Sequence, residues 1–222
     1  PAFKIITVED PIEYRLPGIN QVQVNSKIDL TFARVLRSVL RQDPDIILVG
    51  EMRDQETAEI GLRAAMTGHL VLSTLHTNDA VSTIARLFDM GAAPFLVAAS
   101  LRGILAQRLV RRICDSCAEP HTIDPGQRAV LRTELGERAD TLAFRRGRGC
   151  TYCNNTGYQG RVGVYELVEM DDNLLAPLHA GDALAFAEAA RRQPGYQSLK
   201  RSAIELAARG VTTMDQVMRV TF

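Results

Sequence analysis

The apolar positions change period several times along the first half of the chain. Residues 3–8 (Phe-Lys-Ile-Ile-Thr-Val) alternate as a buried strand does, and Glu9-Asp10-Pro11 closes the run. Residues 17–30 hold Pro17, Gly18, Asn20 and Asn25 and read as loop, with one short strand near Val22 to Val24. From Thr31 to Arg41 the set Phe32, Val35, Leu36, Val39 and Leu40 has helical spacing. Arg34, Arg37 and Arg41 fall on the opposite face, and Pro44 enforces the stop. Ile46 to Val49 is wholly apolar, as expected of a strand covered on both faces. Asp54 can cap a helix that runs to Met66 and ends at Thr67-Gly68. Leu70 to Leu75 predicts the next strand. Asn78 or Asp79 can cap a helix reaching Met90, and a further helix is expected from about Pro94 to Val110. Strands alternating with helices imply parallel crossovers and an α/β sheet.

After Arg111 the texture changes. Cys114 to Cys153 is loop-rich with one helix in its middle, started by Asp124-Pro125 and Gln127. Residues 158–170 read as strand, and from Asp171 the pattern is helical again. Ser198 to Ala208 places Leu199, Ala203, Leu206 and Ala207 on one side, with Gly210 as stop. Thr213 and Gln216 form a capping box for a last short helix. The chain therefore divides into 1–110, 111–165 and 166–222.

Hydrophobic content of 46% and charged content of 23% are those of a globular domain that can bury a real core. Formal net charge is zero, so there is no bulk attraction to nucleic acid or anionic membrane. No charged and apolar leader pattern and no long uninterrupted apolar run occur, which points to the cytosol. Nearly all cations are arginine, suited to bidentate phosphate or carboxylate contacts, although genomic base composition gives the same bias. The only lysines are Lys4, Lys27 and Lys200, and none follows a glycine, so no phosphate-binding Gly-Lys loop is present.

Chemistry concentrates where the apolar strands end. Glu51 lies just past Ile46–Val49, where a carboxylate can serve Mg²⁺ through water or orient an attacking water. Gly50 occupies the place of the usual strand-end Asp, and a solvated loop glutamate is the plain alternative. Glu9, Asp10 and Glu13 follow the first strand; two acidic strand ends in one parallel sheet converge on the crevice where ligands bind. The plain alternative there is an Asp-Pro turn with exposed acids. His76, among Thr74, Thr77 and Asn78, follows the third long strand in the same plane. His69, His121 and His179 have no such context. Arg34, Arg37 and Arg41 read as an ion-paired helix face, or as a source of one arginine reaching phosphates across a subunit boundary. Cys114, Cys117, Cys150 and Cys153 are two Cys-x-x-Cys pairs bracketing Gly147 and Gly149, with Gly157 and Gly160 beyond. Four thiolates at that spacing fill a closed, structural zinc shell. The rival, a thioredoxin-like redox pair, lacks its strand-to-helix setting.

Taken together these segments resemble the secretion ATPase superfamily, the assembly ATPases of type II secretion and type IV pili (the GspE/PilB group). ITVEDPIEY (Ile6 to Tyr14) looks like its Asp box. ILVGEMRD (Ile47 to Asp54) looks like its atypical Walker B, in which Gly-Glu is normal. GHLVLSTLHTNDA (Gly68 to Ala80) looks like its His box, and AQRLVRRICDSC with GCTYCNNTGYQGRVGVYEL looks like its tetracysteine module. The resemblance implies a RecA-like P-loop ATPase core, incomplete at its front, with an inserted zinc module and a helical C-terminal tail.

By that likeness Glu13 is the general base, Glu51 serves Mg²⁺, and His76 faces the γ-phosphate of ATP, with Glu9 a weaker candidate in the same box. The cysteines favour an assembly role over pilus retraction. The family implies a homohexamer at the cytoplasmic face of the inner membrane that acts on a platform membrane protein and drives pilin or pseudopilin assembly, without nucleic acid. The chain departs from the pattern in lacking a Walker A loop, so alone it is expected to be inactive. Two rivals stay open: another RecA-like motor such as a DNA translocase, disfavoured by neutral charge, and a non-enzymatic zinc-binding adaptor.

Overall fold

The structure, a computed structural model, describes residues 3–221; Pro1, Ala2 and Phe222 lie outside the described residues. In chain order the strands and helices are β1 (Ile5–Glu9), β2 (Asn20–Gln23), α1 (Phe32–Val39), β3 (Ile46–Val49), α2 (Gln55–Met66), β4 (Leu70–Ser73), α3 (Thr83–Asp89), α4 (Pro94–Ser100), β5 (Gly103–Ile113), β6 (Ala118–His121), α5 (Pro125–Leu135), β7 (Phe144–Gly147), β8 (Tyr158–Glu169), α6 (Asp172–Ala180), α7 (Ala183–Arg191), α8 (Leu199–Ala208) and α9 (Met214–Thr221). They form two compact units, each from two segments: 1–104 with 169–190, and 105–168 with 191–222.

The first unit is an α/β layer. Its parallel sheet has the order β2-β1-β3-β4. β3 matches its apolar run residue for residue, with Ile47 and Val49 fully buried; Ile46 and Leu48 on the other face are only half-buried. The core joins Ile6 and Val8 of β1 and Ile47 and Val49 of β3 to Val35, Leu36 and Val39 of α1 and Ala58 and Ala64 of α2. Burying Leu36 alone is worth about 1.5–3 kcal/mol relative to exposure. α1 starts where the Thr31 hydroxyl accepts from Arg34 N at 3.3 Å. α2 starts where Asp54 accepts from Thr57 N at 2.8 Å, and it ends at Met66 as the sequence predicts.

Several boundaries move: β1 covers Ile5–Glu9 rather than 3–8, β2 covers Asn20–Gln23 rather than Val22 to Val24, and α1 ends at Val39 short of Arg41. β4 closes at Ser73 rather than Leu75. α3 begins only at Thr83, because Asp79 first closes a turn by accepting from Ser82 N at 2.8 Å. One expectation is overturned: residues 94–110 are not a single helix. α4 stops at Ser100, Leu101 turns extended, and β5 follows. Along β5 the buried positions Ile104, Ala106 and Val110 keep a two-residue period, with Leu105, Gln107 and Leu109 exposed, and buried Ile113 falls off it at the strand's end. The run Ile104-Leu105-Ala106 is apolar on both faces, which hides that period in the sequence.

In the second unit β5 pairs with β8, and β6 pairs antiparallel with β7. α5 carries the expected capping box: Asp124 accepts from Gln127 N at 2.9 Å and Gln127 accepts from Asp124 N. Ser198 caps α8, and Thr213 accepts from Gln216 N at the start of α9. Glu166 of β8 is 1% exposed and fastens α8 by accepting from Leu199 N at 3.0 Å and Tyr196 hydroxyl at 2.8 Å. Among the described residues no helix is long and apolar enough to cross a membrane.

Candidate functional site

Parallel register brings the acidic and polar strand ends side by side. Val8 faces Val49 and Val49 faces Ser73, so the residues just past β1, β3 and β4 emerge along one edge of the sheet. Two further bonds extend this order beyond the strands: Met52 N donates to Thr74 O at 3.1 Å, and the Thr74 hydroxyl donates to Gly50 O at 2.6 Å. The result places His76 Nε2 3.1 Å from Glu51 Oε2. Thus the structure joins two of the residues that the sequence placed at separate strand ends.

Gly50 has a steric reason. A Cβ there would lie 3.1 Å from Val8 O and 3.3 Å from Glu9 Cα, both backbone atoms of β1. Gly50 N meanwhile donates to Val8 O at 2.7 Å. A side chain at position 50 would therefore press on the β1 backbone, and the acidic residue stands one position on, at Glu51.

The Glu51 side chain is only 11% exposed and is held between an ion pair to Arg53 and the contact to His76. The Arg53 guanidinium holds its carboxyl below the usual range; burial opposes this, and His76 adds to the lowering. Glu51 raises the Arg53 pKa in turn, with a smaller contribution from Asp10. An ionised, nearly buried carboxylate at a strand end, beside an 83% exposed imidazole, is a polar centre open on one side. Each carboxylate oxygen keeps a second lone pair beyond those facing Arg53 and His76, so Glu51 fits a partner such as a hydrated Mg²⁺. Arg53, which the sequence analysis does not single out, is the ion-pair partner of Glu51; an arginine two residues from a strand-end acid was the available signal.

The remaining acids stand differently. Glu9 accepts from the Thr7 hydroxyl and, at 2.9 Å, from Gln21 Nε2, so it is engaged in the sheet. Glu13 is exposed on the loop between β1 and β2, which leaves β1 through a cis Asp10–Pro11 peptide, and it is not hydrogen-bonded to Glu51 or His76. The arginine face of α1 is ion-paired within the chain: Arg34 with Asp29 at 3.1 Å and Arg37 with Glu56, while Arg41 donates to Arg37 O at 2.8 Å.

In the second unit the four cysteines converge. The β6–β7 pairing sets Ala118 opposite Gly147, which draws Cys117 toward Cys150. Asp115–Cys117 and Thr151–Cys153 are matching single turns of 3₁₀ helix. The sulfurs all lie within 4.8 Å of one another, with Cys114–Cys150 at 4.0 Å, Cys117–Cys153 at 3.9 Å and Cys150–Cys153 at 3.7 Å. A tetrahedron with bonds of about 2.3 Å has edges of about 3.8 Å, so this donor set fits zinc. All four are free thiols. The glycines permit the closure: a Cβ on Gly147 would sit 2.0 Å from Gly157 O, and one on Gly149 2.9 Å from Asn155 O. Burial pushes the Cys117 thiol up to about 12. For Cys153 burial is outweighed by the N–H groups of Cys150 and Gly157, each 3.3 Å from its sulfur, and its pKa falls to about 6.

Comparison with known proteins covers both units. The family model described as "Type II/IV secretion system protein" matches residues 1–219. The chain is 50% identical over 217 residues to the type II secretion system protein HxcR of Pseudomonas aeruginosa, covering 98% of this chain and 42% of that protein. It is 46% identical over 217 residues to the type IV pilus assembly ATPase PilB of Thermus thermophilus, covering 97% of this chain and 24% of PilB. Among solved structures it is similar to the pilus retraction motor PilT with bound ADP, at a TM-score of 0.67 and 30% identity, covering 99% of this chain and 52% of that one. The chain thus spans less than half the length of these curated relatives.

Proposed function

The chain belongs to the type II/IV secretion system protein family, and we propose that its parent protein is a Mg²⁺-dependent ATPase motor for type II secretion or type IV pilus assembly. The observation that carries this is the meeting of Glu51 and His76 at 3.1 Å on the carboxyl edge of a parallel sheet, with Glu51 held ionised by Arg53.

In this reading Glu51 would hold Mg²⁺ through its waters, and His76, being exposed, would present its imidazole to the γ-phosphate. Glu13 takes the proton of the water that attacks γ-phosphorus as the bond to ADP breaks. Mg²⁺, when bound, neutralises charge developing on the phosphate oxygens. Glu9 stays with the sheet and helps to hold the loop that carries Glu13. The 1–110 segment is the rear of a RecA-like core whose front, with its Walker A loop, belongs to the rest of the parent, and the chain alone is inactive. The 111–165 segment is a structural zinc module held by Cys114, Cys117, Cys150 and Cys153, and 166–222 is a helical tail. The motor works as a homohexamer at the cytoplasmic face of the inner membrane, coupled to a platform protein that receives pilin or pseudopilin subunits. The cysteine module favours assembly over retraction.

The test is ATP hydrolysis by the full-length parent carrying Glu13→Gln or Glu51→Gln. Each is expected to lower turnover by at least about 100-fold. Near-normal activity in both sinks the assignment.

A further inference from the structure

Glu13 sits on a loop with no regular structure of its own: residues 10–19 are mostly exposed, Tyr14 79% and Leu16 51%. A proton acceptor on such a loop cannot hold an attack geometry unless something fixes the backbone around it. Two side chains of β2 do this, Gln21 above all. Gln21 lies on β2, paired in register with Thr7 of β1. Its Nε2 donates to Tyr14 O at 2.9 Å and to Glu9 Oε1 at 2.9 Å, while its Oε1 accepts from Leu16 N at 2.8 Å. Gln23, two residues along the same strand, accepts from Ile12 N at 3.4 Å. The backbone is therefore gripped immediately before Glu13 and immediately after it.

The amide orientation is fully specified. Exchanging O and N would set the carbonyl oxygen against two acceptors, Tyr14 O and Glu9, and the NH₂ against a donor, Leu16 N. A carboxylate of the same shape at position 21 meets the same conflict, since it can accept but not donate. The grip thus depends on the donating half of Gln21 and not on the space it fills.

We propose that Gln21 is a positioning residue for Glu13, which it holds by tying the loop carbonyl of Tyr14 and the amide of Leu16 to the end of the sheet. This rests on the reading of Glu13 as the base that activates water. Loss of the tie lets the loop drift on the order of 1 Å, enough to cost about 100-fold in the chemical step. Nucleotide contacts are left in place, so kcat falls while KM for ATP stays within about twofold.

The experiment uses the full-length parent with Gln21→Leu, Gln21→Glu, Glu13→Gln and each Gln21 change combined with Glu13→Gln. Both Gln21 variants are expected to lose about 100-fold in kcat with KM nearly constant. Neither should lower the residual rate of Glu13→Gln further, because a base that is gone needs no positioning. Should Gln21→Leu fail to fold, Gln21→Glu, equal in size, carries the same comparison. Wild-type kcat in Gln21→Glu overturns the proposal. So does a loss shared between kcat and KM, or one that multiplies with Glu13→Gln. If Glu13→Gln itself turns over normally, the underlying reading of the base fails; if Glu13→Gln is inactive and the Gln21 variants are not, only the positioning role fails.

Discussion

Replacing Gly50 with alanine tests the geometry that brings Glu51 to the sheet edge. The added methyl would lie 3.1 Å from Val8 O and 3.3 Å from Glu9 Cα, and Gly50 N is already bonded to that same Val8 O at 2.7 Å. These are backbone atoms of a paired strand, so neither can rotate away; β1 and β3 must part by a few tenths of an ångström. Overpacking of this kind costs about 1–3 kcal/mol, and the small displacement sets it near 1.5–2. Against it stands the gain of about 0.4–1 kcal/mol from restricting the unfolded chain, available because Gly50 is not among the left-handed glycines. The net expectation is a loss of about 1 kcal/mol, which for a chain of this size lowers Tm by about 2–4 °C. Thermal unfolding of the 222-residue chain followed by circular dichroism reads this directly. A Tm equal to or above the parent value refutes the claim that close approach of β1 excludes a side chain at position 50.

Arg53→Met should show a pH signature. Glu51 is depressed below its ordinary value of 4.5, so its pairing contributes stability above that pH and loses it as pH falls through the folded-state value. The stability difference between Arg53→Met and wild type is expected at neutral pH and should shrink on acidification below 4.5; a difference independent of pH contradicts the ion-pair assignment. Purified chain should hold one zinc per molecule by metal analysis, and a substoichiometric amount after careful preparation counts against the site. Zinc binding should release protons, because burial pushes the Cys117 thiol up and zinc binds the thiolate; zinc titration without proton release contradicts a thiolate site.

Much of this was legible because period and cap agreed. β3 and α2 follow from a solid apolar run and from Asp54 at a helix start. The four cysteines were legible from spacing alone. β5 was not, because Ile104-Leu105-Ala106 satisfies a helix as well as a strand. β6 (Ala-Glu-Pro-His) and β7 (Phe-Arg-Arg-Gly) carry almost no apolar signal and exist by pairing with each other across the cysteine turns. Within the site, Glu51 and His76 could be placed at strand ends, but their contact depends on which residues of separate strands pair, and alternation alone fixes only the face each residue occupies. Gln21 left no trace, since its role lies in side-chain bonds to a loop five and seven residues away in sequence and to Glu9 at the end of β1.

We propose that Glu51 at this sheet edge and Glu13 on the adjoining loop serve ATP hydrolysis in the full-length parent. The most direct test is one preparation of full-length Glu13→Gln, measured for both ATP turnover and Mg²⁺-ATP affinity. The expected result is nucleotide binding close to wild type with turnover lowered by about 100-fold or more. Wild-type turnover in that protein would contradict the account.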